Sequence, residues 1–314
     1  MTRLSFKTVT RTQGNNRALK EGRVRPVDFD LDFEEIPVLV QGFRKMVREL
    51  AYDISEMALT TYICARDNGV KFTALPIFLV RDFHHGAILC NGKGPIRTGK
   101  DFHGRRVGVN RGYTVTTGVW ARSILQDEHG VDLSRVTWAL SGDEHVEAYR
   151  PPQNVEPLGA GLDMGEELAA GRLAAAVGAT VDHPDVRPFI ENPFGAAVRA
   201  MKTRGLYPIN HLMVVRDDVL EANPGLARQI FDAFTESKKL YVDDLKAGRI
   251  SNPTAVDRVH MAALEVMDDP LPYGIAPNQR VLEMLMDHAV TQGIVRSRVD
   301  IPSLFAEETR ELVG

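Results

Sequence analysis

The feature that most constrains this chain is its alternation of strand-like and helix-like segments. In residues 4–10, Leu4, Phe6 and Thr8 alternate with Ser5 and Lys7, which is the period of a strand. The polar turn Arg11-Thr12-Gln13-Gly14-Asn15-Asn16 follows, then a short helix to Lys20. Phe29, Leu31 and Phe33 alternate with Asp28, Asp30 and Asp32, a second strand with one wet face. Leu39, Phe43, Met46, Val47 and Leu50 fall on one helical stripe. Residues 54–59 and 72–80 read as further strands. Such an order predicts an α/β fold with a largely parallel sheet.

A second unit is expected from about residue 98. It holds a turn at 100–104, a strand at 106–110 and a helix over 115–129 with Trp120 and Ile124 on one face. A strand at 136–140 precedes a long loop over 141–165, which contains Pro151, Pro152, Pro157, Gly159 and Gly161. The small residues 174–179 read as a buried strand. After Gly205 a strand at 209–215 leads into a mostly helical region. There Pro224 marks a helix start, and Gly293 stops a helix over 277–292. That region is too helix-rich for a sheet of its own, so its strand is expected to return to the first sheet. The expected architecture is two α/β lobes. Residues 1–97 and 206–314 form one, residues 98–205 are inserted as the other, and ligands bind in the cleft between them.

Composition narrows the function classes. Hydrophobic residues at 44% and charged residues at 25% fit a globular chain and exclude disorder, collagen and a coiled-coil rod. A net charge of -4 and a pI near 6.2 give no field toward nucleic acid or anionic membrane. The longest apolar runs, such as 75–80, fall far short of the roughly 20 residues of a membrane span. Two cysteines exclude a disulfide scaffold, and Cys64 and Cys90 read as buried thiols. The first twenty residues carry five basic and no acidic side chains, but no apolar core or cleavage site follows, so a cytoplasmic protein is expected. No glycine-rich phosphate loop follows a strand, so no nucleotide cofactor is implied. His145 with Glu144 and Glu147, and His183 with Asp182 and Asp185, match no ligand motif, so no metal is expected. Met284, Leu285 and Met286 suit the core, or else a homo-oligomer interface.

Several strings are familiar together. They are Tyr52-Asp53-Ile54-Ser55-Glu56-Met57, Pro76-Ile77-Phe78-Leu79-Val80-Arg81, Asp101-Phe102-His103-Gly104-Arg105-Arg106-Val107-Gly108-Val109, Thr114-Val115-Thr116-Thr117-Gly118-Val119-Trp120-Ala121-Arg122, Tyr207-Pro208-Ile209-Asn210-His211 and Asp269-Pro270-Leu271-Pro272-Tyr273-Gly274-Ile275. In order and spacing the chain resembles the 4,5-dihydroxyphthalate decarboxylase family over essentially its whole length. The resemblance implies a type II periplasmic-binding-protein-like fold, with two α/β lobes, a cleft and a helical C-terminal region. It also implies a carboxy-lyase acting on a small-molecule aromatic carboxylate, with no nucleic acid or membrane partner. The implied reaction takes 4,5-dihydroxyphthalate to protocatechuate and CO2 without a cofactor, as in phthalate degradation.

That chemistry dictates a residue set. Direct loss of CO2 from the ring would leave an unstable aryl anion. Protonating the ring carbon that bears the carboxylate avoids this, and a para hydroxyl that releases its proton pushes electron density to that carbon. The site needs a general acid, an acceptor near the phenol, and cations or N–H donors for carboxylates. His211, on a strand, is the first candidate acid, since histidine ordinarily titrates near neutrality. His85 is the second. His84 precedes it where the family has an Arg-His pair, a departure that bears on carboxylate binding at position 84. Adjacent strand residues face opposite ways, so at most one of the two histidines should enter the cleft, with His85 favoured over an exposed polar turn. Glu56, near a strand end, could accept the phenolic proton or cap the following helix. Arg11 and Arg81, at strand ends, are candidate carboxylate clamps. Tyr113, Thr114, Thr116 and Thr117 open a helix whose N–H groups suit an anion, with Thr114 the ordinary N-cap. The other readings are a non-catalytic solute-binding protein for an organic acid and another lyase or transferase on the same scaffold.

Overall fold

The computed structural model describes residues 3–314. In chain order its strands are β1 (Leu4–Val9), β2 (Phe29–Glu34), β3 (Ile54–Ala58), β4 (Phe72–Arg81), β5 (Ile88–Asn91), β6 (Arg106–Val109), β7 (Thr137–Leu140), β8 (Val155–Pro157), β9 (Ala175–Val177), β10 (Val186–Pro188) and β11 (Ile209–Arg216). The α-helices are α1 (Arg17–Lys20), α2 (Leu39–Glu49), α3 (Leu59–Asp67), α4 (Thr116–His129), α5 (Met164–Ala169), α6 (Pro193–Arg204), α7 (Asp217–Ala222), α8 (Leu226–Lys246), α9 (Ala255–Leu264) and α10 (Gln279–Thr291). Among the described residues, no helix is long and apolar enough to cross a membrane.

Two compact units result. The first comprises Met1–Asp82, Ile209–Glu283 and Arg298–Gly314, and the second Phe83–Pro208 and Met284–Ser297. The chain therefore leaves the first unit some fifteen residues before the expected boundary at residue 98. The physical reason is β5, which hydrogen-bonds to β9 and β10 in the second sheet. Buried Leu285 and Met286 count with the second unit, so they serve its core.

The first unit is built on a five-stranded sheet in the order β2-β1-β3-β11-β4. β1 is parallel to β2 and β3, whereas β11 runs antiparallel between β3 and β4. The late strand does return to this sheet, and it makes the sheet mixed rather than largely parallel. β3 is buried throughout, and β4 buries Leu75, Ile77, Phe78 and Leu79 completely, as central strands covered on both faces do. α2 buries Phe43, Met46 and Val47 from its apolar stripe and ends at Leu50 in the left-handed region, at φ 50°. A short 3-10 turn, Gly14–Asn16, follows β1 and packs closely on α8. A Cβ at Gly14 would lie 2.2 Å from the Tyr241 ring, so glycine is needed there.

The second unit carries a six-stranded sheet in the order β10-β5-β9-β6-β7-β8. β6 is parallel to β7 and β9, and β7 to β8. Ala175, Ala176 and Val177 are fully buried, which explains their small size. The expected loop over 141–165 contains β8 and the start of α5. The sheet tolerates Pro157 because β8 is an edge strand.

Candidate active site

β3 carries Glu56 at its centre, opposite Met213 of β11. His211 lies two residues from Met213 on the same strand face, diagonal to Glu56. Their side chains meet, with His211 Nδ1 2.6 Å from Glu56 Oε1. The β11–β4 register shifts on both sides of His211, an irregularity of the kind that re-aims side chains beside active sites. The Phe43 ring stands edge-on to the imidazole, with centroids 5.1 Å apart and planes at 89°.

The Glu56 carboxylate is fully buried. Oε2 accepts from the Thr10 hydroxyl at 2.8 Å and from the Arg11 N–H at 3.0 Å. Burial pushes its pKa up, but the hydrogen bond and charge of His211, with Thr10 and Arg11, more than offset this and hold it below the usual carboxylate range. It does not cap the following helix, whose N-cap is Ala58, and sits mid-strand as the partner of the imidazole. The His211 side chain is 19% exposed, and Nδ1 is the nitrogen that faces Glu56.

The two expected arginines differ. The Arg11 side chain is exposed and lines a cavity of about 590 Å³ with Arg17, Arg249, Tyr241 and Asp257. Arg81 is buried at the end of β4, and its Nη2 donates to Asn278 Oδ1. Asn278 Nδ2 in turn donates to Pro272 O and Gly274 O, both at 2.8 Å. The Asp269–Gly274 stretch thus anchors Arg81. It also supplies Asp269 as the carboxylate partner of buried Lys238, whose pKa burial lowers against that ion pair.

The other candidates lie in the second unit. His84 and His85 are both buried, at a 3-10 turn rather than on a strand, so strand alternation does not separate them. His85 Nε2 lies 3.1 Å from Glu128 Oε2, and Arg204 Nη1 donates to Glu128 Oε1 at 2.8 Å. Burial pushes the Glu128 pKa up, but His85 and Arg204 outweigh it and hold the carboxyl low. α4 begins at Thr116, and Thr114 does not cap it. Instead the Tyr113 N–H donates to Glu144 Oε1, and the Thr114 N–H and hydroxyl donate to Glu144 Oε2 at 3.2 and 2.6 Å. The turn therefore holds an anion that the chain itself supplies. Buried Tyr113 lies under the Arg122 guanidinium at 3.8 Å, with Thr116 buried and Thr117 half-buried nearby in sequence.

Thr10, Asn16, Asn278, Glu128 and Glu144 escape the sequence reading. Only the polar run after β1 offered a signal for the first two, because it packs six hydrogen-bonding side chains into residues 10–16 at a strand end. Cys64 and Cys90 are buried free thiols, with Cys90 pushed up by burial. Among the described residues, no group of three or more His, Cys, Asp or Glu is placed to hold a metal.

No protein-family model matches the chain. Two curated relatives carry the name 4,5-dihydroxyphthalate decarboxylase. That of Comamonas testosteroni is 28% identical over 307 residues, covering 90% of this chain and 93% of the relative. That of Pseudomonas putida is 30% identical over 200 residues, covering 58% of this chain and 75% of the relative. Among solved structures, a Candida albicans protein described as having the generic periplasmic binding protein fold matches with a TM-score of 0.57 at 12% identity, over 100% of this chain and 99% of that one. This likeness establishes the fold, a type II periplasmic-binding-protein-like pair of α/β units, and at that identity nothing more.

Proposed function

The chain belongs to the 4,5-dihydroxyphthalate decarboxylase family and is a carboxy-lyase, and from that premise we propose that it decarboxylates 4,5-dihydroxyphthalate to protocatechuate and CO2 without a cofactor, with His211 as the general acid. The observation that carries this reading is the buried Glu56 carboxylate on His211 Nδ1, which leaves Nε2 to give and take the proton. The para phenol releases its proton, and His211 Nε2–H protonates the ring carbon bearing the carboxylate. The C–C bond then breaks, its electron pair restores the aromatic ring as a phenolate, and CO2 departs. The phenolate is reprotonated and solvent recharges His211, so the net change is uptake of one proton per CO2 released.

Electron-rich carboxylates call for cations. Arg11, whose backbone N–H bonds the Glu56 carboxylate and whose side chain is exposed, is the proposed clamp for one of them. Arg81 contributes positive charge from its buried post on Asn278. The second unit has an anion-holding turn of its own, where the Tyr113 and Thr114 N–H groups and the Thr114 hydroxyl hold Glu144, and His84, Thr116 and Thr117 are counted with it as candidate donors to an anion.

The test mixes purified protein with 4,5-dihydroxyphthalate, phthalate and hydroxybenzoates and follows CO2 release and the ultraviolet spectrum. Turnover of the dihydroxylated diacid is expected, with kcat falling roughly 10²- to 10⁴-fold in His211→Asn. Tight binding with no CO2 from any of these acids would replace the enzyme reading with that of a solute-binding protein.

A further inference from the structure

The turn after β1 determines which way protons point in the Glu56–His211 pair. Asn16 is fully buried, and Thr10 is 2% exposed. The Gln13 N–H lies 2.8 Å from Asn16 Oδ1. A backbone N–H can only donate, so the amide oxygen must face it. The amide nitrogen then faces Thr10 Oγ1 at 3.0 Å and Arg11 O at 2.9 Å and gives one hydrogen to each. Thr10 Oγ1 thereby receives a hydrogen, and its own single proton points to Glu56 Oε2 at 2.8 Å. Its other acceptor in reach, Arg11 O, is farther at 3.4 Å and already takes an Asn16 hydrogen. Glu56 Oε2 thus accepts twice, from Thr10 and from the Arg11 N–H, and has no room for a proton of its own. Glu56 Oε1 has only the His211 Nδ1 proton to accept.

We propose that Thr10 and Asn16 are positioning residues that lock the donor direction of the chain Asn16 to Thr10 to Glu56 to His211, so that Nδ1 always carries its proton and Nε2 is the exchanging atom. This inference rests on the reading of His211 as the acid. Asn16 acts through its amide orientation, and Thr10 through one hydroxyl proton. The groups that set the field here come from several elements. The Lys20 ammonium of α1 donates to Thr10 O, Arg81 stands at the end of β4, and the neutral Tyr273 phenol, preceding α10, feels Glu56. None of them supplies a hydrogen bond to Glu56 in place of Thr10.

Three variants test it. Asn16→Asp is isosteric but presents an oxygen to Thr10, which turns the hydroxyl proton away from Glu56. Thr10→Val removes that proton and spares the turn, whereas Thr10→Ser restores it. Asn16→Asp and Thr10→Val are expected to lower kcat about 10- to 100-fold with KM little changed. They should also move the acid limb of the kcat/KM profile to higher pH, because Glu56 then competes for the Nδ1 proton. Thr10→Ser should recover both. Imidazole ¹⁵N resonances of ligand-free protein give a readout independent of substrate, with Nδ1–H alone in the parent and a mixture in Thr10→Val. Should Thr10→Val keep the parental profile and tautomer, the locking role is overturned. A fall in kcat with profile and tautomer unmoved would mean packing only, and would overturn it equally. His211→Asn run alongside separates the two readings. An active His211→Asn removes the acid assignment itself, whereas an inactive one with a parental Thr10→Val removes the lock alone.

Discussion

His211 and His85 each face a carboxylate, and the two pairs are built in opposite senses. In the first unit the carboxylate is the buried member. Glu56 is fully enclosed while His211 keeps 19% of its side chain exposed. In the second unit the imidazole is the buried member, with His85 at 2% and Glu128 at 21% exposure. Glu56 receives only neutral donors besides the histidine, whereas Glu128 is shared with the Arg204 guanidinium. The proposed function uses the first arrangement, a buried carboxylate on a partly exposed imidazole, for proton transfer. On the proposed reading the His85–Glu128–Arg204 cluster holds α4 and α6 together, since Glu128 lies in the last turn of the one and Arg204 ends the other. Residue type alone does not distinguish them; the direction of burial does.

The comparison can be broken most sharply at Glu56. Glu56→Gln should lower kcat on the order of 10²-fold while leaving the fold intact, because the imidazole loses the partner that sets its tautomer. Steady-state rates and a thermal melt decide it, and equal losses in Glu56→Gln and Glu128→Gln would erase the distinction. Glu128→Gln is expected to act on stability instead. It should cost about 1–3 kcal/mol in denaturant unfolding, since a buried imidazole and an arginine lose their shared acceptor, while kcat stays near the parental value.

Acid sharpens the contrast between these pairs and a third histidine. His260 is buried, and burial lowers its pKa to about 4 against the pull of Asp257. It is neutral in the fold but takes a proton in the unfolded chain below about 6.5. Stability is therefore complete above pH 6.5 and falls as pH drops toward 4, by an amount on the order of 3 kcal/mol at 1.36 kcal/mol per unit. Glu56 and Glu128 are both depressed below 4.5, so their contributions hold above that value and are lost only as pH falls through their lower folded values. Urea unfolding at stepped pH should show the His260 loss first, and His260→Gln should flatten that window alone. The smallest effect is expected at Glu144. Glu144→Ala should lower KM by a few fold if a substrate carboxylate takes the Tyr113–Thr114 turn, and inhibition by phthalate should tighten in parallel.

Much of the fold was legible because it rests on local periodicity. The stripe from Leu39 to Leu50, the alternation at Phe29–Phe33 and the small residues of β9 each report a buried face. β5 and β10 were not legible, since neither shows an alternating or small-residue pattern of its own and both are defined by pairing with strands distant in sequence. For the site, His211 and Glu56 could be named one by one, but not as a pair, because they are 155 residues apart. His85 stayed a second candidate for the same reason, since its partner Glu128 is also distant in sequence.

By itself the sequence determined the alternating elements, the return of β11 to the first sheet and the residue types available for acid–base work, all consequences of periodicity and side-chain chemistry. Only the tertiary structure decided which histidine meets a fully buried carboxylate, that this carboxylate is held low in the core, and that Thr10 and Asn16 stand behind it. Those properties depend on burial and on hydrogen-bond direction across strands, and neither quantity exists until the strands are side by side.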